Sequence, residues 1–336
     1  MRYKSRDYVY VSAYVRSKER RLLDSKGISR MVVAKSVQEA VRVLGDYGYV
    51  IEDGFRGSEG GTDRILSHEL AEAYRAVLSM LPDPKVLDAL LLQYDYQNIK
   101  ALIKGEMAGV DPADSLVDIG TIPKENLIRI IKERDFLLLS YYMKSAIEYA
   151  LDAFAKSKDP QHIDFILDHA CYIEMKKAAE ATGCTYLAEY VTLLIDTINI
   201  KTFVRIREMK RDWIAFNKVF LPGGDIAESV FVAGFDEDYV HFAEKLRSYH
   251  NFEEVMAKGG KQLADTGRFT ELERLCDNAI MDYAIRARYI SAGLEIPIAY
   301  LIAMEGEIRL IRIILAAIEQ GLSADQLDAR MRRTYV

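Results

Sequence analysis

Five histidines, three cysteines and 51 acidic residues are the groups in this 336-residue chain that could bind a metal or move a proton. His68, His162, His169, His241 and His250 are scattered. None follows a glutamate by three residues, the spacing that sets a carboxylate and an imidazole on one helix face in a di-iron bundle. Asp238-x-x-His241 reads as a surface pair rather than half of such a site. Cys171, Cys184 and Cys276 lie too far apart in sequence for zinc spacing and read as buried thiols of a reducing compartment. The stretch GFRGSEGG lacks the strand that a dinucleotide-binding turn needs before it. AKGGKQ resembles the end of a phosphate loop, but Val255 stands where its first glycine belongs and Gln262 where a magnesium-binding hydroxyl belongs. No G-x-S-x-G elbow occurs. Acidic residues on helices read as solvated faces. No catalytic residue, cofactor-binding residue or metal ligand is assigned, and no cofactor is expected.

The elements that would have to position such groups are helices. Apolar residues recur at helical spacing nearly throughout, and no stretch alternates long enough to argue for a sheet. Helices are expected over about 8–23, from a Ser36/Glu39 capping box to near Gly48, and over 63–81, 85–104, 124–155, 185–211, 252–264, 269–292 and 297–319. Others are expected after Pro160, near 238–248 and after Ser323. Pro82-Asp83-Pro84 and the LPGGD stretch at 221–225 are breaks. The glycine-rich stretch 51–63 reads as loop.

One stretch occurs three times, as YDYQNIKALIKG at 94–105, IDTINIKTFVRI at 195–206 and AMEGEIRLIRII at 303–314. Without gaps, Asn98, Asn199 and Glu307 coincide, then Ile99, Ile200 and Ile308, then Lys100, Lys201 and Arg309. The copies lie about a hundred residues apart, which divides the chain into three comparable units. Each has an apolar stripe at i, i+3 and i+4, except that Arg312 stands where the others have Ile103 and Val204. Asn98 and Lys100 face different sides of a helix, so the expectation is an amide bonded to neighbouring backbone and a cation at the rim. Each copy precedes a Gly- or Pro-containing connector: GTIP, LPGG and GLS.

Half the residues are hydrophobic and 29% are charged, a globular composition. A net charge of −6 gives no support to a nucleic-acid partner. Charge is uneven, however, with nine Lys/Arg against three acids in residues 1–30. No run reaches the length of a membrane span and the N-terminus is too polar for a signal peptide, so the expected location is cytosolic or on the cytosolic side of a membrane.

The segment GLEIPIAYLIAMEGEIRLIRII at 293–314 and the closing RMRRTYV resemble the C-terminal signature of the C subunits of archaeal and bacterial V/A-type rotary ATPases, relatives of the d subunit of eukaryotic V-ATPases. Gly293, Glu295, Pro297, Tyr300, Glu305, Glu307, Ile308, Arg309 and Arg312 fall on that pattern, with Ile296 a small departure. YDYQNIKALIKGE and YVSAYVRSKERRLL, at 10–23, resemble further parts of the family, so the likeness spans the chain.

The resemblance implies an all-α fold of three similar helical domains, here 1–119, 120–221 and 222–336, in a pseudo-threefold funnel. It implies a non-catalytic rotor adaptor, peripheral on the cytoplasmic side. Such an adaptor seats on the proteolipid ring and receives the D and F subunits of the central shaft. When the soluble motor is detached, it faces the membrane stator. It takes no nucleic acid and no small-molecule substrate. The basic residues Arg2, Lys4, Arg6, Arg16, Arg20, Arg21, Arg330, Arg332 and Arg333 are the candidates for seating it. The competing reading from the residues is a free-standing helical scaffold that binds peptides or proteins in its groove.

Overall fold

The computed structural model describes residues 4–51 and 61–336. Arg2 and most of the glycine-rich stretch, 52–60, therefore lie outside the described residues. Among those described there is no strand, and the fold is all-α. The chain divides into two compact units.

Unit one contains residues 83–202 and 210–225. Its first long helix, Asp88–Ala108, opens with an acid in its first turn and closes at Gly109, which adopts φ +66°. This helix packs along Gln161–Thr182, as does Tyr141–Ser157. Leu90, Ile99, Ile103, Ile147, Ile163, Leu167 and Met175 fill the space between and are buried. Full burial of each large apolar side chain contributes about 2 kcal/mol. At the edge of the packed faces, Lys100 pairs with Asp168 and Lys104 with Asp164, both at 2.6 Å. The span 124–155, expected as one helix, is two. Lys124–Glu133 ends at Arg134, which turns left-handed (φ +60°), and the chain restarts at Tyr141, where the Ser140 side chain accepts from the Met143 amide.

Unit two contains residues 4–82, 203–209 and 226–336, so the N-terminal segment folds with the C-terminal third. Its central helix, Glu295–Glu319, packs against Val9–Lys18, Gly61–Met80 and Thr270–Ile285. The Ser12 hydroxyl and the Gly293 backbone exchange two hydrogen bonds. Phe203, Phe231 and Phe242 form a buried aromatic cluster, with the Phe203 and Phe242 centroids 4.5 Å apart. The glycines of AKGGKQ serve packing. Residues Val255–Gly260 form a π-helical turn, and a Cβ at Gly259 would lie 2.7 Å from the Leu272 Cα. Short helices beyond those expected are Ser25–Val32 and Glu228–Ala233 in this unit and Trp213–Asn217 in unit one. Ser36 caps Val37–Asp46 by accepting from the Glu39 amide, while Glu39 reaches back to the amide of Lys35 rather than of Ser36.

Candidate functional site

The three repeat copies lie on the long helices Asp88–Ala108, Thr185–Glu208 and Glu295–Glu319. In the first copy, the buried Asn98 side chain donates to the Val117 carbonyl and accepts from the Val117 amide, both at 2.9 Å. One turn earlier, the wholly buried Asp95 accepts from the Thr121 amide and hydroxyl and from the Ile122 amide. The second copy repeats the arrangement. Asn199 donates to the Leu221 carbonyl at 2.8 Å and accepts from its amide at 2.9 Å, and Asp196 accepts from the Asp225 amide at 2.9 Å. An amide side chain donates to and accepts from one peptide unit through two separate atoms, which explains asparagine at both positions.

A glycine stands before each aspartate-bound amide for a steric reason. A Cβ at Gly120 would lie 2.2 Å from Asp95 Oδ1, and one at Gly224 would lie 2.0 Å from Asp196 Oδ1. The aspartates were legible at matching offsets, three residues before each asparagine, and their loop partners were not.

In the third copy Met304 replaces the aspartate and Glu307 the asparagine. The loop bound here does not come from the GLS connector. Leu23 donates its amide to Glu307 Oε2 at 2.6 Å, and the Tyr49 hydroxyl donates to Oε1 at 2.7 Å. Leu23 thus holds the place taken by Val117 and Leu221 in the other copies. Burial pushes the Glu307 carboxyl up to about 7, against the two donors that hold it down. The same cause raises Asp95 to about 6, against the pull of Thr121 and Ile122. A cavity of ≈ 130 Å³ adjoins Glu307, with Arg21, Glu69 and Tyr300 among its walls.

The repeat cations do separate work. Lys100 pairs with Asp168, Arg309 with Asp277 at 3.4 Å, and Arg312 with Asp63 at 2.8 Å. Lys201 is half-buried on the second repeat helix. The basic candidates divide sharply. Lys4, Arg6, Arg20, Arg21 and Arg333 are exposed, Arg6 beside Asp7 and Arg333 paired with Asp282. Arg330 is half-buried. Two are held inside the unit. Arg16 donates to the Ala287 and Ile290 carbonyls at 2.7 and 2.8 Å and pairs with Glu19 at 2.8 Å. Arg332, 11% exposed, pairs with Asp277. The Tyr335 hydroxyl completes this knot by donating to Glu19.

Among the described residues, no group of three or more His, Cys, Asp or Glu is placed to hold a metal ion. His241 rests on Asp238 at the surface, and Cys171, Cys184 and Cys276 are buried. No described helix is long and apolar enough to cross a membrane. The arrangement can fasten loops to helices, and it leaves Lys4, Arg6, Arg20, Arg21 and Arg333 exposed.

A family model described as ATP synthase (C/AC39) subunit matches residues 11–330. The chain is 23% identical to the C subunit of the A-type ATP synthase of Pyrococcus abyssi, with 95% of this chain and 89% of that one covered. It is 22% identical to the C subunit of the V-type sodium ATPase of Enterococcus hirae, covering 98% and 99%. With the C subunit of the A-type ATP synthase of Thermococcus onnurineus the identity is 24%, over 95% and 88%.

Proposed function

The chain belongs to the ATP synthase (C/AC39) subunit family, and from that premise we propose that it is the rotor adaptor of a V/A-type rotary ATPase. In this reading three helical domains, 1–119, 120–221 and 222–336, form a pseudo-threefold funnel on the cytoplasmic side of the membrane. Its base seats on the proteolipid ring, and its cavity receives the D and F subunits of the shaft. Torque passing through it couples ATP hydrolysis or synthesis to movement of H⁺ or Na⁺. The chain itself catalyses nothing. When the soluble motor detaches, the funnel faces the membrane stator.

The observation that carries this reading is the threefold clamp. Asn98, Asn199 and Glu307 each fasten a loop backbone to the same position of a repeated helix. A repeated, internally braced scaffold suits an element that must transmit force without yielding, and buried polar bonds resist shear better than a sliding apolar face. The exposed cations Lys4, Arg6, Arg20, Arg21 and Arg333, with Arg330, are the seating residues in this reading. Arg2 belongs to the same basic segment. Arg16 and Arg332 support the surface from within.

Native mass spectrometry of the detergent-solubilised complex, isolated through a tag on this chain, tests the proposal. One copy bound to a proteolipid ring, with the shaft proteins retained or released according to salt, is the expected result. Recovery of the chain alone, or with partners that include no ring, would overturn it in favour of the free scaffold.

A further inference from the structure

Unit one carries an open groove of ≈ 450 Å³ bordered by the Phe136–Leu138 turn and helix Gln161–Thr182. Leu92, Ile122 and Met143 give it an apolar floor, and Asp88 and Glu174 an acidic wall. Its lip is Leu138, 62% exposed, which continues outward into Leu137 at 81% and Tyr141 at 78%. Scattered apolar side chains at a surface need no explanation, but three large ones within five residues beside a groove form a patch of the kind that partners cover. The lip is held in place: Phe136 and Met143 are buried on either side, the Leu139 amide donates to the Phe136 carbonyl, and Ser140 caps the next helix. A preformed lip lowers the ordering cost of binding.

The charge of the groove selects its occupant. Lys177 at the rim is turned to Tyr142, donating to its hydroxyl with the ammonium 4.7 Å from its ring centre. Partial burial pushes the Asp88 carboxyl up, Lys85 draws it back, and nearby charge on Glu174 adds to the rise. Two half-desolvated carboxylates therefore stand together over an apolar floor, a setting that a cation would stabilise and an anionic lipid headgroup would not.

We propose that this groove docks an amphipathic helix of another protein of the rotary ATPase, a large apolar side chain against Leu138 and a Lys or Arg between Asp88 and Glu174. The inference rests on the family reading above. It is a helix-in-groove contact, in which an apolar anchor supplies affinity and the charge pair fixes register.

A photo-crosslinking residue, benzoyl-phenylalanine, at position 138 tests it in the assembled complex, isolated through a tag on a different ATPase subunit. The expected product joins position 138 to one helical segment that carries a Lys or Arg within a turn of a large apolar residue. Asp88→Asn with Glu174→Gln, which removes charge but keeps the acceptor used by Tyr96, should lower the yield about tenfold. Leu137→Ser with the crosslinker retained should lower it too, and this exposed position leaves the fold intact. Incorporation of the chain with crosslinks only to lipid, or to an acidic segment, would overturn the groove inference and leave the family reading standing. Absence of the chain from the isolated complex would overturn both.

Discussion

At the scale of the residue, Glu307 is the informative exception. Copies one and two use asparagine, which serves one peptide unit from both sides; copy three uses an acid that takes two donors, Leu23 and Tyr49. An acid raised by burial has a definite pH signature. Its ordinary value is 4.5 and its folded value about 7, so the folded state binds the proton more tightly. Its contribution is fully present below pH 4.5 and is lost as pH rises through 7, a difference of about 3 kcal/mol. Asp95, raised from 3.8 to about 6, acts in the same sense at lower pH. Glu307→Gln keeps an acceptor for Leu23 and removes the titration, so its urea midpoint should vary less between pH 5 and pH 8 than that of the parent. An unchanged slope would show that Glu307 does not titrate in this range. Asn98→Leu, by contrast, strands both polar groups of Val117 and should cost about 2–4 kcal/mol at any pH in equilibrium unfolding.

At the scale of the element, the clamp is a helix, a loop and a glycine acting together. Gly224→Ala drives a methyl group into Asp196 and should destabilise by about 1–3 kcal/mol. Asp196→Ala should cost a similar amount by leaving the Asp225 amide without its carboxylate. The double variant should cost less than the sum by at least about 1 kcal/mol, since removing the carboxylate makes room for the methyl. Simple additivity in a denaturant-based cycle would refute the steric account. The elements also show what could be read in advance. Long helices announced themselves through apolar periodicity, and the shared Asn98/Asn199 position announced the clamp. Gapless alignment concealed its loops, because Val117 lies 19 residues beyond Asn98 whereas Leu221 lies 22 beyond Asn199. Ser25–Val32, Trp213–Asn217 and Glu228–Ala233 are too short for a helical period to rise above chance. The break at Arg134 had no signal at all, since nothing in an arginine marks a left-handed turn.

At the scale of the molecule, the pairing of Leu23 with Glu307 makes unit two depend on both ends of the described chain. A fragment of residues 83–336 should keep the amides of Val117 and Leu221 protected in hydrogen exchange, because their clamps lie wholly within unit one. It should lose protection along Glu295–Glu319, which has no loop on Glu307 and no Val9–Lys18 packed against it. Full protection there would show that the N-terminal segment is an ornament on unit two. The proposed adaptor role makes a separate prediction for the exposed cations: reversing Lys4, Arg6, Arg20 and Arg333 together should weaken retention of the chain on a purified proteolipid ring, the loss being largest at low salt where screening is least. Equal retention would remove these cations from the seating surface. The span of 284 residues between Leu23 and its acceptor also has a consequence in time. A ribosome adding about 5–20 residues each second needs roughly 15–60 s to cross that span. During that interval the helix Val9–Lys18, with its buried Val11 and Val15, has Gly61–Met80 to pack against but not Glu295–Glu319, and the Leu23 amide lacks its acceptor. Unit one can close its two clamps meanwhile, but unit two cannot be completed until Glu307 has been made. Nascent chains should therefore engage holding chaperones through the segment 4–51 and release them once Glu307 has emerged.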